Sequence, residues 1–123
     1  MRQAGILAAA GIVALEQMVE RLAEDHENAA LLAQGLADFP QIEIDPQRVV
    51  TNILIFKVVD AQGQIVGDRA MLQLLEKARE HGVLMGGYMG GGRIRAVTHY
   101  GIEKEHITAV LTAIRRALIE MQI

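Results

Sequence analysis

The chain has 123 residues, 51% of them hydrophobic and 22% charged, which is the size and composition of one globular domain around one core. It has no cysteine, which excludes a disulfide framework, a zinc knuckle and a thiol nucleophile together and fits a reducing cytoplasm. A formal net charge of -3, with no tryptophan, two tyrosines and two phenylalanines, argues against a nucleic-acid partner, yet a local pair of arginines would still suit a small acidic ligand.

Met1-Arg2 followed by the apolar run Ala4 to Leu15 imitates a secretory signal. The run is too short to span a bilayer and passes without a break into the amphipathic stretch Glu16 to Leu22, so an unprocessed, soluble chain with no membrane partner is expected. Residues 1–37 form a helical opening segment. From Gln3 to Ala37 no proline interrupts, and alanine, leucine, glutamate and glutamine dominate. One bent helix or two is expected, with the bend in Glu24-Asp25-His26-Glu27-Asn28, a cluster that reads as solvated. The first half, with Ile6, Leu7, Ile12, Val13 and Leu15, is apolar nearly all round and needs cover on more than one side. That cover is either a second copy of the chain, giving a homo-oligomer, or a domain outside it.

Residues 41–123 read as a small α/β domain. Phe39-Pro40 ends the helical region, Gln41 to Ile44 suits a short strand, and Asp45-Pro46 signals a turn. Val49 to Val59 is the strongest strand, with two largely apolar faces that predict burial on both sides. After the turn Asp60 to Gly63, a helix is expected over Asp68 to Glu80 with Asp68 as its N-cap and Gly82 as its stop. Val83 to Met85 is expected to resume a strand, and Gly86 to Gly92 to be a flexible hairpin connection, since no lysine-serine or lysine-threonine follows to make it a phosphate loop. The stretch after it alternates: Arg93, Arg95, Val97 and His99 take one face of a strand, and Ile94, Ala96 and Thr98 the other. Taken alone, this face reads first as a solvated outer face and second as a binding face for a carboxylate or phosphate. A final helix runs from Glu103 to Met121. The whole, residues 1–123, is one α+β domain: a long helical segment, then a small, mostly antiparallel sheet with helices on one face.

His26, His81 and His106 lie in helical or helix-terminal positions without metal-ligand spacing, apart from the weak pair Glu103 and His106, so no metal site is expected. None of Lys57, Lys77 and Lys104 has the apolar surroundings that prepare an amine for imine chemistry. No nucleophile and base stand at a spacing that would make the chain an enzyme by itself.

Three runs carry a resemblance: Met1-Arg2-Gln3-Ala4-Gly5-Ile6-Leu7-Ala8-Ala9-Ala10-Gly11, Thr51-Asn52-Ile53, and Arg93-Ile94-Arg95-Ala96-Val97-Thr98-His99. With them the chain resembles the C-terminal domain of the low-specificity L-threonine aldolases, pyridoxal-phosphate lyases of the aspartate-aminotransferase superfamily with fold type I. The resemblance implies cleavage of L-threonine or L-allo-threonine to glycine and acetaldehyde. It implies that Arg95 binds the substrate's α-carboxylate and that Arg2 approaches the cofactor phosphate across a subunit interface. Where the family often reads Thr-His-Leu-Asp-Val, this chain has Thr98-His99-Tyr100-Gly101-Ile102. The family's cofactor domain, with the Schiff-base lysine, lies N-terminal to the matched region. The chain alone is therefore expected to hold no pyridoxal phosphate and to be inactive, with that missing domain and a homo-oligomer partner completing it. The alternative is a stand-alone, self-associating, non-catalytic module that binds a small carboxylate.

Overall fold

The computed structural model describes residues 2–123, so Met1, which opens the first matched run, lies outside the described residues. In order, the elements are α1 (Ala4–Val13), a widened π turn at Ala14–Met18, α2 (Leu22–Ala37), β1 (Ile42–Glu43), a 3-10 turn at Pro46–Arg48, β2 (Ile53–Val58), α3 (Asp68–Glu80), β3 (Arg93–Val97) and α4 (Lys104–Met121). The strands form one antiparallel sheet in the order β1-β2-β3. This is the expected α+β architecture.

Alternation along the strands decides where the core lies. Leu54, Phe56 and Val58 of β2 and Ile94 and Ala96 of β3 are buried, and they meet Leu32 and Leu36 of α2, Met71 and Leu74 of α3, and Ile107, Ile114 and Leu118 of α4. The three later helices thus cover one face of the sheet. The other face, with Ile53 and Ile55 at 44% and 43% exposed, is open. Burial of β2 on both sides is corrected by this finding: a strand with apolar residues on both faces has only one of them packed.

The break in the helical segment falls at Val19 to Arg21, ahead of the polar cluster where it was expected. There the chain tightens into shorter-range bonds, from Leu22 N–H to Val19 O (3.1 Å) and Glu24 N–H to Arg21 O (3.0 Å). The polar cluster stays helical because its buried groups find partners at Arg21, just ahead of α2, and at Ile102, beyond β3. Asp25, expected in solvent, is only 2% exposed and accepts two hydrogen bonds from the Arg21 guanidinium one turn earlier, at 3.0 and 2.5 Å. Asn28 is buried as well and donates to Ile102 O at 2.8 Å. No residue of α1 is buried. Among the described residues no helix is long and apolar enough to cross a membrane.

Three further expectations are corrected. Val49 to Asn52 lies outside the sheet, because Val49 N–H turns back to Pro46 O and Asn52 is engaged elsewhere. Gly67, and not Asp68, is the N-cap of α3; Asp68 is its first residue and its carboxylate accepts the Tyr88 hydroxyl. Val83 to Met85 is not a strand: Val83 N–H bonds back to Ala78 O, closing the helix end around Gly82 at φ 83°. The last helix begins as expected, since Glu103 N–H donates to His106 Nδ1 at 3.0 Å and completes a capping box. Glu103 and His106 therefore serve the helix end.

The far ends of α3 and α4 are tied by an ionic latch. Glu120 takes His81 Nε2 at 2.8 Å and Lys77 Nζ at 3.4 Å, while Lys77 also reaches Glu80 at 2.8 Å. The His81 hydrogen bond first, and then that of Lys77, hold the Glu120 carboxyl below its ordinary value. A carboxylate with a lowered folded pKa contributes stability that is present above its unfolded value and lost as pH falls through the folded one. Acid melting curves of Glu120→Gln are accordingly expected to depend less on pH in that window than those of the parent.

Candidate functional site

The open sheet face is built from alternate residues of two paired strands. Ile53, Ile55 and Lys57 of β2 stand opposite Val97, Arg95 and Arg93 of β3. Arg95 is central, facing Ile55 across the ladder, with Arg93 and Val97 two residues away along its own strand on the same side. Its aliphatic surroundings are Ile53, Ile55 and Val97. Beside this floor lies a concavity of about 570 Å³ whose walls include Glu43, Arg48, Lys57 and Arg93.

Charge on this face is unevenly neutralised. Lys57 Nζ lies 2.6 Å from Glu43 Oε1. Neither Arg93 nor Arg95 has an ion pair with a carboxylate among the described residues, and Arg93 makes one long bond, from Nε to Gly90 O at 3.4 Å. Two planar forks of donors are thus left on a partly apolar surface, an arrangement suited to carboxylate or phosphate oxygens.

The backbone under Arg95 is held from both sides. On one edge β3 pairs with β2. On the other, the glycine loop lies along β3 instead of forming a free connection: Arg95 N–H donates to Gly87 O at 3.4 Å, Met89 N–H to Arg93 O at 2.8 Å, and Tyr88 pairs with Ile94. The approach is so close that a Cβ on Gly86 would stand 2.6 Å from Arg95 O. Glycine is required there for contact with the strand. Because the Arg95 N–H points to the loop, the Ile55–Arg95 pair is of the type without mutual hydrogen bonds, in which facing side chains stand closer.

The end of β3 is locked by a reciprocal clasp. Asn52 Nδ2 donates to Thr98 O and Thr98 N–H to Asn52 O, both at 2.9 Å, while the buried Thr98 hydroxyl donates to Asp25 O at 2.6 Å. Arg21, which holds Asp25, also lies 5.0 Å from the centre of the Tyr100 ring. Asn52→Ala leaves the Thr98 carbonyl without its side-chain donor, and a loss of about 1–3 kcal/mol in urea unfolding is expected.

Of the residues singled out in the sequence, Arg95 lies at the centre of the open face. Arg2 is exposed ahead of α1, its side chain without a hydrogen bond or ion pair to any described residue, and the structure does not join it to Arg95. His99 is exposed just past the strand end, its Nδ1 2.9 Å from Tyr100 O. Among the described residues no three metal-ligating side chains cluster. The lysines do not fit a pyridoxal-phosphate imine: Lys57 and Lys77 are tied to carboxylates, the Glu80 hydrogen bond pushes Lys77 up, away from an uncharged amine, and Lys104 is exposed in the first turn of α4.

Residues 1–61 match the family described as beta-eliminating lyase. The chain is 34% identical to low-specificity L-threonine aldolase 1 of Arabidopsis thaliana, over 99% of this chain and 32% of that protein. It is 38% identical to the low specificity L-threonine aldolase of Escherichia coli strain K12, over 89% of this chain and 29% of that protein. The chain therefore spans about a third of the length of these curated relatives. Among solved structures, a Bacillus anthracis aminotransferase shares the fold with a TM-score of 0.65 and 16% identity, over 93% of this chain and 27% of that one.

Proposed function

The chain belongs to the low-specificity L-threonine aldolase family, pyridoxal-phosphate lyases of fold type I, and on that premise we propose that it carries the substrate-carboxylate clamp of such an enzyme. The observation that supports this most is Arg95: an exposed guanidinium without a carboxylate partner among the described residues, on a strand braced along both edges. In this reading Arg95 takes both oxygens of the α-carboxylate of L-threonine or L-allo-threonine and fixes the amino acid's orientation, while Ile53, Ile55 and Val97 keep water from its apolar side. The products are glycine and acetaldehyde.

The cofactor belongs to a part of the enzyme outside this chain, because the lysines here are unsuited to hold it. Arg2 contributes to that part's phosphate site, and α1, unburied all round, is covered by it or by a second copy of the chain. The cysteine-free composition supports a cytoplasmic setting. Threonine-dependent acetaldehyde release, with pyridoxal phosphate added, is expected to be absent from the chain alone and to appear when it is joined to a cofactor-bearing part. Aldolase activity and an imine absorbance band in the chain alone would overturn the reading.

A further inference from the structure

Arg93 is the second guanidinium on the open face without a carboxylate partner among the described residues, and the carboxylate clamp leaves it unused. It stands two residues from Arg95 on the same side of one strand, a Cα separation of about 6.7 Å from the strand rise. Two flexible side chains at that spacing can close on the two ends of a four- or five-carbon diacid. Across the ladder, Arg93 faces Lys57, so two cations are directly opposed, an arrangement that is unfavourable without an anion. Glu43 offsets only one of them, since it is held by Lys57 at 2.6 Å. Asp45, the other acid on the concavity wall, is occupied in capping Gln47 N–H at 3.0 Å. The concavity next to Arg93, about 570 Å³, leaves room for a side chain larger than a methyl group.

We propose that Arg93 is a specificity-determining residue that binds a second, distal carboxylate, so that the site takes dianionic β-hydroxy amino acids such as 3-hydroxyaspartate. This inference rests on the assignment of Arg95 to the α-carboxylate. For such a substrate the reaction balances as for threonine. The Cα–Cβ bond breaks, the β-hydroxyl proton leaves as the carbonyl forms, Cα gains a proton, and glycine and a 2-oxo acid, here glyoxylate, are released. No oxidant or reductant is consumed.

The test uses the complete enzyme, this chain joined to its cofactor-bearing part, and compares kcat/KM for L-3-hydroxyaspartate with that for L-threonine. In Arg93→Gln the ratio of the two is expected to fall about tenfold or more, because a charge-assisted contact is lost for one substrate and not for the other. Arg93→Lys, which keeps the charge but not the planar fork, is expected to retain part of the ratio, and continued turnover of L-threonine by Arg93→Gln shows that its strand still folds. A second reading comes from inhibition: L-aspartate is expected to bind more tightly than L-alanine to the parent enzyme and to lose that advantage in Arg93→Gln. A ratio and an inhibitor preference unchanged in Arg93→Gln would overturn the inference. An Arg95→Ala enzyme with an unaltered KM for threonine would instead overturn the carboxylate clamp, whatever Arg93 does.

Discussion

Arg95→Ala in the complete enzyme is expected to lower kcat/KM for L-threonine by about 10²–10³-fold. A bidentate arginine–carboxylate contact consists of two charge-assisted hydrogen bonds, each of about 1.5–3 kcal/mol, and water recovers part of that when the fork is removed. A net loss of about 3–4 kcal/mol remains, with a factor of ten for every 1.4 kcal/mol or so. The loss should fall on both constants. KM rises because the carboxylate has lost its partner, and kcat falls because the bound amino acid is no longer held in one orientation. Arg95→Lys is expected to recover only part, since an ammonium is a point charge and cannot match two oxygens in a plane. The backbone is braced by β2 and by Gly86 and Gly87, so the strand should persist in either variant.

Phe56→Ala is expected to destabilise the chain by about 3–5 kcal/mol in urea unfolding. Phe56 is 1% exposed, pairs with Ile94 across the ladder, and lies in the cluster that joins the sheet to α2, α3 and α4. A domain of this size is stable by only about 5–15 kcal/mol, so a large share of the total is at stake. The neighbouring Ile55→Ala supplies the contrast. Ile55 is 43% exposed on the open face, and its loss should cost about 1 kcal/mol or less in the isolated chain. Equal costs for the two substitutions would contradict the one-sided sheet.

The same contrast explains what the sequence could and could not reveal. The alternation of Arg93 to Thr98 is a period of two over six residues, and the structure follows it residue by residue. The helices Asp68–Glu80 and Lys104–Met121 were legible for the same reason, from the spacing of their apolar residues. Ile53 and Ile55 misled because composition cannot distinguish a face packed within the chain from a face left for something outside it. The Asn52–Thr98 clasp, which positions the strand of Arg95, joins residues 46 apart and leaves no local pattern. Asp25 was different: Arg21 stands four residues before it, a spacing that could have marked the cluster as internally paired and helical. The composition of the glycine loop suggests freedom, whereas at Gly86 the missing side chain matters because β3 leaves no space for one.

The most direct test of the carboxylate clamp is a double-mutant cycle on binding to the complete enzyme: parent and Arg95→Ala, each titrated with glycine and with methylamine, which lacks the carboxylate. If Arg95 holds that group, glycine should lose about 100-fold or more in affinity on substitution while methylamine changes little, a coupling of about 3 kcal/mol. Equal losses for both ligands would mean that Arg95 supports the fold or the cofactor-bearing part and does not bind the substrate's carboxylate.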